Sequence, residues 1–156
     1  MKIAAIETGQ YRSPLAGAVY PAWAPGQIWR ERIVTVFRVH TDDGLTGIGA
    51  GHGAPAFVRD AVAPKLIGQN PLLVGRLVRV LRNAGPPWVS LPVACAIELA
   101  LWDLVGKAAG LPLAQLWGAH TDRLRAYASL VEVRSPERRA EDALRLLEMG
   151  YRAVKL

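Results

Sequence analysis

Residues 93–118, VACAIELALWDLVGKAAGLPLAQLWG, restrict the folds open to this chain more than any other stretch. Ala94, Ile97, Leu101, Leu104 and Val105 recur at three- and four-residue steps, the pattern of a helix that buries one wide face. Gly110 followed by Leu111 and Pro112 predicts its end, because glycine accepts a left-handed position past a helix and proline cannot continue one. Glu98, Asp103 and Lys107 interrupt the apolar run. Asp103 precedes Lys107 by four residues, the order that favours an ion pair along one helix face. Cys95, the single cysteine, reads here as a small buried hydrophobe.

The layers that cover such a helix are sought upstream. Residues 2–10, with Ile3, Ala5 and Ile6, read as a first strand. Residues 11–27 carry three prolines, two glycines, Tyr20 and Trp23, and read as a long loop of the kind that is functional or mobile. The β-branched run 28–41 predicts a second strand. Asp42-Asp43-Gly44 supplies hairpin turn chemistry and residues 45–50 return. Gly49, Gly51 and Gly53 bracket His52 and suggest close approach of another backbone, without the strand–helix context of a dinucleotide site.

Residues 54–67 read as a helix broken at Pro64, and Asn70-Pro71 as the start of a helix through Leu81. Pro86-Pro87 leads into the helix of 91–109. Three antiparallel strands followed by helices make an α+β domain. After Gly118 the order changes. Residues 124–131 read as a strand, Ser135-Pro136-Glu137 as a capped helix start, and residues 151–156 as a second strand after Gly150. A strand–helix–strand unit places its two strands parallel.

Composition narrows the function classes. The net charge is +6, yet the arginines are scattered along helix faces, with no basic run interleaved with aromatics. No nucleic-acid partner is expected. No uninterrupted apolar run reaches the roughly 20 residues that span a bilayer, and the N-terminus lacks signal-peptide grammar. No membrane partner is expected either, and a lone thiol agrees with a cytoplasmic protein.

Ala96, Ile97, Glu98, Ala100, Asp103, Gly106, Lys107, Pro112, Leu113, Leu116 and Gly118 together resemble the first sequence signature of the mandelate racemase and muconate-lactonizing branch of the enolase superfamily. Val93 and Trp117 depart from that signature, which bears on the subgroup and not on the family. The resemblance implies an α+β N-terminal capping domain over residues 1–120, then the first β-α-β unit of an incomplete (β/α) barrel over 121–156. A complete barrel takes about 250 residues, so the chain is expected to be the N-terminal part of a longer enzyme and inactive by itself.

Members of that family abstract a proton next to a carboxylate with the help of Mg²⁺. Their lysine pair at the end of the second barrel strand resembles Gly150-Tyr151-Arg152-Ala153-Val154-Lys155-Leu156, which makes Lys155 the candidate catalytic residue. A neighbouring cation lowers a lysine's pKa and lets one of a pair act as base. The metal ligands of the family lie on later barrel strands, so Mg²⁺ is expected in the full-length enzyme and not on this chain; Glu98 and Asp103 are structural.

Two cap-domain loops set specificity in the family, and they correspond here to residues 13–27 with Tyr20 and Trp23, and to 50–54 with His52. The implied partner is a small carboxylate or sugar acid, and the full-length protein is implied to be a homo-oligomer. Sugar-acid dehydration is the favoured reaction. Racemisation, epimerisation, cycloisomerisation and a non-catalytic α+β binding module stand as alternatives.

Overall fold

The structure, a computed structural model, describes residues 1–155. Its contacts divide the chain into two units: Met1–Arg12 with Ile33–Ala119, and Ser13–Arg32 with the residues from His120 on. Strands β1 (Ile3–Val19), β2 (Trp29–Thr41) and β3 (Thr46–Gly51) form one sheet in the order β1-β2-β3. β2 pairs antiparallel with β3, from Thr35 opposite Gly51 to His40 opposite Thr46. The expected meander is present.

Its first strand is longer than the sequence predicts. Residues 11–19, expected in a loop, continue β1, and only residues 20–28 connect it to β2. Pro14 is the reason for the misreading. β1 lies at the edge of the sheet, where a residue without an N–H costs no ladder bond.

Short helix α1 (Pro55–Phe57), a π-helical stretch (Val58–Val62) and α2 (Ala63–Leu66) follow. The expected break at Pro64 takes the form of a widened turn, with the Ala63 N–H donating to Val58 O. Widening makes room for a ring that would otherwise meet the carbonyl four residues back. Asn70 does not cap the next helix; its Oδ1 accepts from the Leu72 N–H at 2.9 Å in a local turn. Helix α3 (Val74–Arg82) begins only after that turn.

Helix α4 runs Pro87–Ala109, starting four residues before the expected 91 because Pro87 occupies its first turn. Pro92 then lies inside the helix and forgoes one main-chain bond. Ser90, fully buried, holds the joint with α3: its Oγ lies 3.1 Å from the carbonyls of Arg82, Gly85 and Pro86. Gly110 ends α4 at φ +66°, and the Leu111 N–H donates back to Gly106 O at 3.1 Å, as its position predicts. Helix α5 (Leu113–Leu116) completes the unit.

The core of this unit lies between sheet, α3 and α4, with Phe37, Val39, Leu77, Ile97, Leu101 and Leu104 buried. Glycines set how near α4 comes to β3. A Cβ on Gly49 would fall 1.9 Å from Ala96 O, and one on Gly47 2.1 Å from Ala100 O. The close backbone approach signalled by the glycine run is therefore that of α4 itself. Cys95 corrects the sequence reading: it is exposed, on the side of α4 away from Ala94, Ile97 and Leu101. By length and composition α4 could cross a membrane, but half of its most apolar window is buried inside the unit.

Asp103 and Lys107 form the expected ion pair at 2.7 Å, and they do more than face each other. Asp103 Oδ2 accepts from the Ile48 N–H at 2.8 Å, and Lys107 Nζ donates to Thr46 O at 2.6 Å. The pair satisfies main-chain groups on β3, the other edge strand, which would otherwise stand unpaired.

In the second unit, β4 (Ala128–Ser129), α6 (Pro136–Glu148) and β5 (Val154–Lys155) make the anticipated strand–helix–strand. β4 and β5 are parallel, with Ala128 opposite Val154 and Ser129 opposite Lys155. The first strand is far shorter than the 124–131 expected, since a ladder extends only where a partner strand supplies it; Leu124 and Tyr127 are exposed. Ser135 caps α6 by accepting from the Arg138 N–H at 3.4 Å, and Gly150 closes it at φ +95°.

Candidate active site

Lys155 stands on β5 directly opposite Ser129 on β4, and the Leu130 N–H donates to Lys155 O at 2.9 Å. Residues in register on neighbouring parallel strands project from the same face, so the amine and the hydroxyl share a side. Both residues are exposed. The chain thus sets a primary amine and a hydroxyl side by side on two neighbouring parallel strands.

Beyond β4 the chain meets the connection between β1 and β2. The Ala22 N–H donates to Val131 O at 2.9 Å, and Pro21 and Glu132 form an isolated antiparallel bridge. The connection is built on itself beyond that anchor. The Ala24 N–H donates to Pro21 O, and the Gln27 N–H to Ala24 O, each at 3.1 Å. Trp23 meets Trp29 edge to face with centroids 5.6 Å apart, and the Arg32 guanidinium lies 4.1 Å over the Trp29 ring. Tyr20 and Trp23 nevertheless remain 53% and 61% exposed. With Pro21, Ile28 and Val133, Tyr20 borders an open recess of about 280 Å³.

His52 belongs to the first unit. It is exposed beyond the end of β3 and borders a shallow recess with Gly53, Trp88 and Pro92. Five charged side chains that sequence patterning did not assign to a site lie around the 131–134 segment. Arg134 Nη2 donates to Glu132 Oε2 at 2.8 Å, and its Nε lies 3.6 Å from Asp142, as does Arg145 Nη2. Arg139, half-buried on α6, donates to the main-chain oxygen of Glu132. The hydrogen bond from Arg134 holds the Glu132 carboxyl below the usual carboxylate range, helped by the Tyr20 N–H and by the charge of Arg139. In the sequence Arg139 and Arg145 read, with Arg138, as the solvated face of a helix among acids.

A divalent cation requires several oxygen donors converging on one point. Among the described residues no group of three or more His, Cys, Asp or Glu side chains converges in that way. Asp103 is committed to Lys107 and Ile48.

A three-stranded antiparallel sheet backed by helices, followed by a parallel strand–helix–strand, is the arrangement of an enolase-superfamily N-terminal capping domain and first barrel unit. The family profile described as Mandelate racemase / muconate lactonizing enzyme, N-terminal domain, matches residues 19–118. The chain belongs to this family. It is 33% identical over 136 residues to a D-mannonate dehydratase of Rhizorhabdus wittichii, covering 80% of this chain and 33% of that protein. It is 34% identical over 171 aligned positions to a cis-3-hydroxy-L-proline dehydratase of Roseibium aggregatum, covering all of this chain and 45% of that protein.

An enolase-superfamily member from Polaromonas sp. JS666 superposes on the whole chain with a TM-score of 0.84 at 28% identity, over 44% of its own length. A racemase from Streptomyces coelicolor, solved with bound magnesium, superposes with a TM-score of 0.84 at 24% identity over 97% of this chain and 45% of its own length, a likeness of fold. The chain thus spans between a third and a half of the length of these relatives.

Proposed function

We propose that this chain is the N-terminal part of an enzyme that removes the proton alpha to a carboxylate, with residues 1–120 as capping domain and 121–156 as the opening of the barrel. Lys155 is the base of that reaction or its immediate neighbour. The observation that supports the reading is the register of β5 on β4, which sets the lysine opposite Ser129 on the neighbouring parallel strand. Removing a proton with the lysine requires its neutral amine, which a nearby second cation favours.

Tyr20 and Trp23, and His52 from the other loop, are the side chains proposed to meet the substrate. Aromatic faces and an imidazole suit a small polar acid, fixing its orientation and excluding water. Dehydration is preferred among the possible outcomes: loss of a hydroxyl from the carbon next to the ionised one completes an elimination, and both curated relatives described above are named dehydratases. Mg²⁺ belongs to the proposal for the whole protein, as does a cytoplasmic, homo-oligomeric state.

The test is to incubate the whole protein with Mg²⁺ in D₂O and a panel of acids, including D-mannonate and cis-3-hydroxy-L-proline. The expected result is a keto-acid product from a hydroxy acid, a cyclic imino acid from the hydroxyproline, or deuterium at the alpha carbon of at least one. N-succinyl amino acids in the panel report racemisation by exchange without loss of water. No exchange and no product on any acid, from a folded protein, would contradict the reading.

A further inference from the structure

The connection of residues 20–28 is tied to the rest of its unit at its base. That base consists of Pro21 and Ala22 bonded to Val131 and Glu132. Residues 131–134 lie between β4 and α6, outside any regular strand. Something else must therefore fix them. A main-chain bridge of one rung stabilises little by itself.

Two side chains supply that support. Arg139 reaches from α6 to the Glu132 carbonyl, and Arg134 folds onto the Glu132 carboxylate while lying near Asp142, the one buried residue of α6. Arg139 is the more informative of the two, because its guanidinium acts on the main chain. A charge-assisted bond to a carbonyl fixes the path of the strand end itself. Neither arginine faces the recess beside Tyr20.

We propose that Arg139 is a positioning residue: it anchors Glu132 to α6, Glu132 and Val131 carry Pro21 and Ala22, and this chain of contacts sets where Tyr20 and Trp23 stand against a bound acid. The inference rests on the reading that those two side chains touch the substrate. It also states that the connection is anchored before any ligand arrives, and that part can be measured without a substrate.

The experiment uses the whole protein carrying Arg139→Leu and Arg139→Lys, with hydrogen exchange followed by mass spectrometry. Loss of one charge-assisted bond is expected to raise exchange at Ala22 about tenfold or more in Arg139→Leu. Arg139→Lys, which keeps a cationic donor, should recover most of the protection. Exchange within α4 and within α6 beyond its first turn should not change. Unchanged exchange at Ala22 would overturn the proposal, and so would an equal rise throughout α6, which would make Arg139 a general support of the unit.

With an acid identified by the D₂O panel, Arg139→Leu should raise KM severalfold with kcat nearly unchanged. Raised exchange at Ala22 with KM unmoved would overturn the positioning role. A failure of the panel itself would leave the exchange result to decide whether the anchor exists.

Discussion

Between β3 and α4, in the unit of residues 1–12 and 33–119, main chains approach so closely that only glycine fits at positions 47 and 49. In the unit of residues 13–32 and 120 onward, the buried residue of α6 is Asp142, while Leu144, Leu147 and Met149 are exposed. The first unit is organised by burial, with its charges placed at the rim to satisfy an edge strand. The second is organised by guanidinium–carboxylate and guanidinium–carbonyl contacts, and its apolar residues have little to cover them. The contrast teaches that the first unit contains its own core, while the second leaves the apolar side chains of α6 exposed.

The largest expected effect is in the first unit. Gly49→Ala forces α4 off the sheet and should destabilise the protein by about 3 kcal/mol or more, the upper range for overpacking. A urea midpoint followed by circular dichroism checks it; a shift below about 1 kcal/mol would break the claim that close packing defines this unit. A middle-sized effect belongs to the rim. Asp103→Ala leaves the Ile48 N–H and Lys107 without their shared acceptor and should cost about 1 kcal/mol. Asp103→Asn, able to accept from Ile48, should cost less.

The smallest effect sharpens the other side of the comparison. Glu132 has its carboxyl held down in the folded state, so its contribution is present above the ordinary glutamate value and lost as pH falls through the lower folded value. Exchange at Ala22, corrected for intrinsic rate, should be flat from about pH 7 to 5 and rise only below about pH 4. The core amides of α4 should show no matching step in that window.

What could be read from the sequence follows the same division. Helix α4, its stop at Gly110 and the Asp103–Lys107 pair obey local rules of period, capping and four-residue spacing. The glycine run announced a close approach, though its partner, the Ala96 and Ala100 carbonyls, lies far along the chain. Residues 11–19 were misread because Pro14 signals a loop unless the strand is known to be an edge, and edge position is a property of the sheet.

Cys95 was misread because α4 is apolar on more than its buried side; Leu91 and Leu99 are exposed with it. The site divides likewise. The strand that carries Lys155 was legible in the apolar run after Gly150, whereas the contacts of Pro21 and Ala22 with Glu132 and Val131 join residues more than a hundred apart, which no local pattern encodes.

The central claim is that Lys155 handles the proton, and one comparison tests it most directly. The whole protein and its Lys155→Met variant are assayed for alpha-carbon deuterium exchange on the same acid, with binding of that acid measured separately. The account predicts that exchange falls by about a hundredfold or more, the usual contribution of a general base, while the dissociation constant stays within severalfold. Exchange at the wild-type rate in Lys155→Met would contradict it.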